Sequence, residues 1–185
     1  ISYGEKQRSC MICSKIESEY IPFYSDEDFI IEIISESEKT ARITGYANLR
    51  RNLVIPSEID GYTITEIGDY FFFGDLSLET VIIPETVKSI GVGAFADCYL
   101  LRSIEVDENN SEYTSVDGVL FNKNRTTIIQ YPNGNWKVHY KTPSSVTSIG
   151  KYAFYGCNSL VSIVFDGQNT INYNNTMASV INFYS

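Results

Sequence analysis

The residues best equipped for chemistry in this chain are its four cysteines and its one histidine. Cys10 and Cys13 form a C-x-x-C pair, a spacing that suits thiolate ligation of a metal or thiol exchange. A closed zinc site needs four ligands, and no second pair follows. An ordinary pair of thiols near the start of the chain is the expectation there. Four cysteines in 185 residues do not make a disulfide framework. Cys98 and Cys157 occupy equivalent positions of an internal repeat. A nucleophile acts once, beside its own base, so a thiol that recurs is expected to point inward as a small apolar group. His139, between Val138 and Tyr140 in a strand-like stretch, could meet Cys157 only if the fold brought them together.

Other chemical patterns weaken on inspection. Gly91-Val92-Gly93 resembles the start of a dinucleotide-binding loop, but no strand and long helix flank it. The aligned positions elsewhere in the chain are Gly68/Tyr70 and Gly150/Tyr152, so the second glycine is incidental. The acidic clusters Asp26-Glu27-Asp28, Glu36/Glu38 and Asp107-Glu108 lack the ligand spacing of a calcium loop and read as solvated turns. No carboxylate pair is singled out for glycoside hydrolysis, a reaction in which spatial separation is decisive. Asn109, Asn124 and Asn174 begin N-glycosylation sequons, relevant only in a eukaryotic secretory pathway. No catalytic residue, metal or cofactor is expected.

The elements that would position side chains are visible as a repeat. The windows Thr65–Leu78, Lys88–Leu101 and Thr147–Leu160 superpose without gaps, with Ile67, Ile90 and Ile149 in one position. The first two are 23 residues apart and the second two 59. Each window ends on a leucine that opens a strand-like stretch: Leu78–Ile83, Leu101–Val106 and Leu160–Phe165. Alternating apolar positions there suit a half-buried strand. Pro56, Pro84 and Pro143 follow in register and close the strands, since proline cannot donate to a continuing ladder. Glycine after the isoleucine allows a tight corner. The Ala-Phe segment is expected to be a short helical or 3-10 turn whose phenylalanine fills the back of each coil.

A period in the low twenties with this spacing is a leucine-rich-repeat signature, and the fold class expected is a β-rich leucine-rich-repeat solenoid with an irregular hairpin insert. Residues 1–28 read as an amino-terminal extension without a clear period, and 29–185 as the solenoid. Within it, 29–46 read as a capping hairpin, 47–106 as regular coils and 107–142 as the insert. A regular coil follows at 143–165 and a degenerate last coil or cap at 166–185. Asp60-Gly61 marks a turn where five extra residues enter the first coil. In the insert, Asp117-Gly118 predicts a hairpin, with further strands at Ile128–Pro132 and Trp136–Thr142.

Val146–Leu160 closely resembles the repeat of the BspA-like leucine-rich-repeat surface proteins, and Ile55–Gly61 and Asp117–Phe121 resemble that family's recurrent variants. The resemblance covers roughly residues 41–165. Phe71 departs from the family's usual alanine, and Asp75 from its usual cysteine. The resemblance implies an extracellular or cell-surface protein, with relatives active in adhesion, coaggregation or binding of host matrix proteins. It brings no residue-level binding site.

Bulk properties narrow the partners. A net charge of −9 argues against nucleic acid and anionic lipid, which need clustered Lys and Arg. The longest apolar run, Phe29–Ile34 around Glu32, falls far short of the roughly 20 residues of a membrane helix. No leader is visible after Ile1. The family resemblance implies a protein partner, such as host extracellular matrix or another cell surface, and the outward positions of the stacked strands are where it is expected. One column runs Val54, Ile82, Glu105, Gln130, Lys141 and Val164. Its neighbour runs Asn52, Thr80, Ser103, His139 and Ser162. Apolar residues at Val54, Ile82 and Val164, where solvent favours polar ones, either mark contact spots or reflect the fit of β-branched side chains to strands. The alternatives to a non-catalytic adhesion module are a passive spacer in a larger surface protein and a glycan-binding module using the 14 tyrosines.

Overall fold

The computed structural model of the protein describes residues 29–47 and 50–165, with the backbone of residues 172–173. Cys10, Cys13, the extension at 1–28 and most of the expected last coil at 166–185 lie outside the described residues.

The chain winds as a β-solenoid with two ladders of parallel strands. Strands β1 (Phe29–Ser35) and β2 (Thr40–Tyr46) form an antiparallel hairpin across the turn at 36–39. β2 then starts the back ladder, pairing in parallel with β5 (Tyr62–Ile67), which pairs with β7 (Ser89–Ile90). The front ladder is β3 (Asn52–Val54), β6 (Thr80–Ile83) and β8 (Ser103–Val106), again parallel. The five extra residues of the first coil form β4 (Glu58–Ile59), folded back on β5 through Asp60 and Gly61, both at positive φ.

The insert is a second hairpin, β9 (Tyr113–Val116) and β10 (Val119–Asn122), turning at Asp117 and Gly118 with φ of 52° and 76°. Left-handed residues at both central positions match the twist of a two-residue hairpin. β10 pairs with β11 (Thr127–Gln130), which resumes the back ladder through β13 (Ser148–Ile149) to β15 (Asn172–Tyr173). The front ladder resumes separately as β12 (His139–Lys141) and β14 (Ser162–Val164). Between its two pieces the insert hairpin leans on β8, where Ile104 N–H donates to Gly118 C=O at 2.9 Å and Val106 N–H to Ser115 Oγ at 3.2 Å.

Equivalent residues do equivalent work. Leu78, Leu101 and Leu160 are all buried, as are Val81, Ile104 and Ile163 three residues on. Phe72 stacks on Phe95, and Tyr131 on Phe154, at centroid distances of 5.4 and 5.5 Å. The Ala-Phe segments are not helical: no helix occurs among the described residues, and these segments are successive turns. The physical reason is left-handed backbone at Tyr70 and Gly74, at Gly93 and Asp97, and at Tyr152 and Gly156, which interrupts any helical run. Gly91 sits where the corner must approach the neighbouring coil. A Cβ there would lie 2.3 Å from the Asp69 nitrogen.

Asn110 locks the insert to the second coil. Fully buried, its Nδ2 donates to the Pro84 and Val87 carbonyls at 2.8 and 3.0 Å, and its Oδ1 accepts from the Glu112 and Tyr113 amides. Asp75, in place of the usual cysteine, caps its own turn by accepting from Ser77 N–H, Ser77 Oγ and Leu78 N–H at 2.6–2.9 Å.

Candidate functional site

The front ladder carries most of the positions expected to face a partner. Asn52, Thr80 and Ser103 are aligned across β3, β6 and β8, and so are Val54, Ile82 and Glu105. On the second piece His139 aligns with Ser162 and Lys141 with Val164. The residues between them, Leu53, Val81, Ile104, Tyr140 and Ile163, are buried. The period of two thus turns both columns outward.

The polar column is largely satisfied by neighbouring rungs. Thr80 Oγ1 donates to Asn52 Oδ1 at 2.7 Å, and His139 Nδ1 lies 2.8 Å from Ser162 Oγ. Glu105 accepts from Ser103 Oγ at 2.5 Å and from Ser115 Oγ at 3.4 Å, so the insert hairpin joins the same face. In the other column Val54 and Ile82 are half-buried and Val164 is 41% exposed.

Gln130 is the exception. It belongs to β11 on the back ladder, opposite Leu120, and is buried. Its Nε2 donates to Tyr131 C=O and Ala153 C=O. In this coil the front position is taken by the insert hairpin, so the chain reaches Gln130 on the other side of the solenoid. It is not part of the face.

The face gains residues that its strand columns do not include. Val161 N–H and Ser162 N–H both donate to Val138 C=O, which places Val138 and Val161 side by side at the entry of β12 and β14. Val138 is 49% exposed and Val161 60%. Two residues before Val138 stands Trp136, the sole tryptophan, at 81% exposure. The strand expected over Trp136–Thr142 begins only at His139, so Trp136 and Val138 lie in the turn and loop before it. A second exposed cluster sits on the turns: Tyr70 meets Phe73 and Tyr152, while Tyr155 meets Phe73 and Tyr152, all at 5.6–5.9 Å. Residues from coils far apart in sequence build it, and no single repeat shows it.

The thiols are packing groups. Cys98 Sγ donates to Phe72 C=O at 2.9 Å and Cys157 Sγ to Tyr131 C=O at 3.7 Å, each reaching the preceding coil from the same repeat position. Burial pushes both up to about 12, away from the thiolate form needed for attack. Their partners also separate Cys157 from His139, which bonds on the front face. No cluster of three or more His, Cys, Asp or Glu side chains suited to a metal occurs among the described residues. No helix among them is long and apolar enough to cross a membrane.

Comparison with known proteins agrees with the repeat geometry. The model of the BspA type leucine rich repeat region matches in six copies over residues 65–174. No curated protein matches the chain in sequence. Among solved structures, the pneumococcal vaccine antigen PcpA is 30% identical over 58% of this chain and 26% of its own, with a TM-score of 0.53. The T. pallidum leucine rich repeat protein TpLRR is 28% identical over 74% of this chain and 68% of its own, also at 0.53. The chain therefore spans about a quarter of PcpA and two thirds of TpLRR. With the family model matching more than half of its residues and the rungs stacked at the repeat's spacing, the chain belongs to the BspA-type leucine-rich-repeat family.

Proposed function

We propose that the chain is a non-catalytic protein-binding module of a secreted or cell-surface protein, of the adhesin type, that engages its partner through the front ladder and the adjoining insert. The carrying observation is Trp136, 81% exposed two residues before Val138, which with Val161 is exposed at the entry of the front strands β12 and β14. Exposed tryptophan is rare away from interfaces, and interface hot spots are enriched in it. Family membership supports the protein-interaction reading, since stacked coils present an extended surface of this kind. The pneumococcal relative's description as a vaccine antigen supports a surface location. The net charge of −9 favours a partner with a basic patch.

The test is capture from a host extracellular-matrix preparation with the purified chain, read by quantitative mass spectrometry. Trp136→Ala and the pair Ile82→Lys with Val164→Lys are compared with wild type. Each is expected to lose about tenfold or more of the captured partner while keeping the wild-type circular dichroism. Equal capture by all three proteins contradicts the assignment of the face. Capture of nothing by the wild type contradicts the module reading and leaves a spacer. The turn cluster of Tyr70, Phe73, Tyr152 and Tyr155 favours a second reading, sugar stacking, which a carbohydrate array would reveal.

A further inference from the structure

One coil of the solenoid is shorter than its neighbours. From the ladder isoleucine to the stacked aromatic there are five steps in three coils: Ile67 to Phe72, Ile90 to Phe95, Ile149 to Phe154. In the insert coil Ile128, aligned with Ile149, reaches Tyr131 in three. Tyr131 holds the aromatic position, since it stacks on Phe154 and its N–H donates to Ala153 C=O, as Phe72 stacks on Phe95 and donates to Ala94 C=O. The missing pair corresponds to Asp69-Tyr70, Val92-Gly93 and Lys151-Tyr152. Those three coils turn there with left-handed φ at Tyr70, Gly93 and Tyr152, and the insert coil has no such residue between Ile128 and Tyr131.

The shortage leaves a notch. A cavity of about 160 Å³ lies there, lined by Ile90–Phe95 on one side and by Ile129, Gln130, Gly150 and Lys151 on the other. Next to it, Tyr70 and Tyr152 meet over Gly93. The walls carry backbone groups in rung register. In the first coil Tyr70 N–H donates to Val92 C=O and Phe72 N–H to Ala94 C=O. The equivalent donors of the second coil, Gly93 N–H and Phe95 N–H, have no acceptor among the described residues. The residue that would accept from Gly93 does not exist, and Gln130, which should accept from Phe95, is drawn to Leu120 of the hairpin. On the far wall Lys151 C=O, the equivalent of Val92 C=O, has no backbone donor among the described residues.

We infer that this notch is a peptide-binding slot, in which a short extended segment of a partner protein with small side chains supplies the missing rung. Two of its carbonyls accept from Gly93 and Phe95, and one N–H donates to Lys151 C=O. Main-chain pairing of this kind supplies affinity without demanding a particular sequence. The space admits several waters or a short run of small residues, and its largely apolar lining favours the latter. The slot lies on the back ladder and does not depend on the strand-face assignment.

The probe is the blocked tetrapeptide acetyl-Gly-Val-Gly-Ala-amide, which copies residues 91–94, titrated into the isotopically labelled full chain. Saturable downfield shifts of the Gly93 and Phe95 amide protons are expected by about 10 mM peptide, with rapid hydrogen exchange of both in the free protein. A variant with Lys-Tyr inserted between Ile129 and Gln130 restores the spacing; it should protect both amides unaided and bind the peptide at least about tenfold more weakly. Absence of a saturable shift at those two amides overturns the proposal. So does slow exchange of both in the free wild-type chain, a measurement that needs no variant to fold.

Discussion

Replacing Asn110 with alanine removes four hydrogen bonds at once, and all four have both partners inside the protein. Two are donated to the Pro84 and Val87 carbonyls at 2.8 and 3.0 Å, and two are accepted from the Glu112 and Tyr113 amides at 2.9 and 2.8 Å. At about 1 kcal/mol net for each, and with the side chain fully buried so that water cannot readily replace it, Asn110→Ala is expected to destabilise by about 3–5 kcal/mol. Asn110→Asp sharpens the test. The carboxylate keeps both accepted bonds but points an oxygen at two carbonyls, and burial raises its pKa above the ordinary value near 3.9. A raised folded-state pKa means that the contribution is present below the unfolded value and lost as pH rises through the folded one. Asn110→Asp should therefore be less stable than Asn110→Ala at pH 7 and recover toward it near pH 4. Urea unfolding followed by far-ultraviolet circular dichroism measures both. A loss under about 0.5 kcal/mol for Asn110→Ala, in the range of an ordinary surface substitution, would refute the view that this side chain anchors the insert.

Gly118→Ala should cost about 1–3 kcal/mol, because φ is +76° and the new Cβ would lie 2.6 Å from Ser103 Oγ; thermal unfolding reads it. Iodoacetamide at pH 8 should leave Cys98 and Cys157 unmodified until denaturant is added, as peptide mass mapping would show, because burial pushes both thiols up to about 12. Tyr131 is also pushed up to about 12 by burial, against an ordinary value near 10. Its contribution to stability is intact below pH 10 and declines from there toward pH 12, so resistance to urea should fall across that window, and fall less in Tyr131→Phe.

The regular coils are legible in the sequence because each one meets the same constraints: a buried leucine, an alternating strand and a glycine corner, with an inward thiol in two of them and Asp75 in its place in the first. Leu101 and Leu160 can be matched across 59 residues for that reason alone. The insert hairpin is legible too, since Asp117-Gly118 carries the left-handed pair that a tight hairpin requires. The position of Gln130 is not. Ile128-Ile129-Gln130-Tyr131 reads as a strand with an outward glutamine, and the two-residue shortening that shifts its register shows only against coils whose equivalence is fixed by coordinates. Ala-Phe invites a helical reading because both residues tolerate one, whereas the left-handed residues that forbid it include Tyr70 and Tyr152, which no propensity marks. Val138 and Val161 are unremarkable in sequence, and become exposed neighbours only when β12 and β14 pair.

Adjacent rungs can be joined covalently. Thr80 and Ser103 are directly aligned neighbours on the front ladder, and parallel strands lie about 4.8 Å apart, within the Cα separation a disulfide spans. Under mild oxidation, Thr80→Cys with Ser103→Cys should form an intramolecular bond nearly completely, whereas Thr80→Cys with Ser162→Cys, on separate pieces of the ladder, should form none. Equal yields from the two pairs, or no bond in the first, would contradict the stacking of successive segments as rungs.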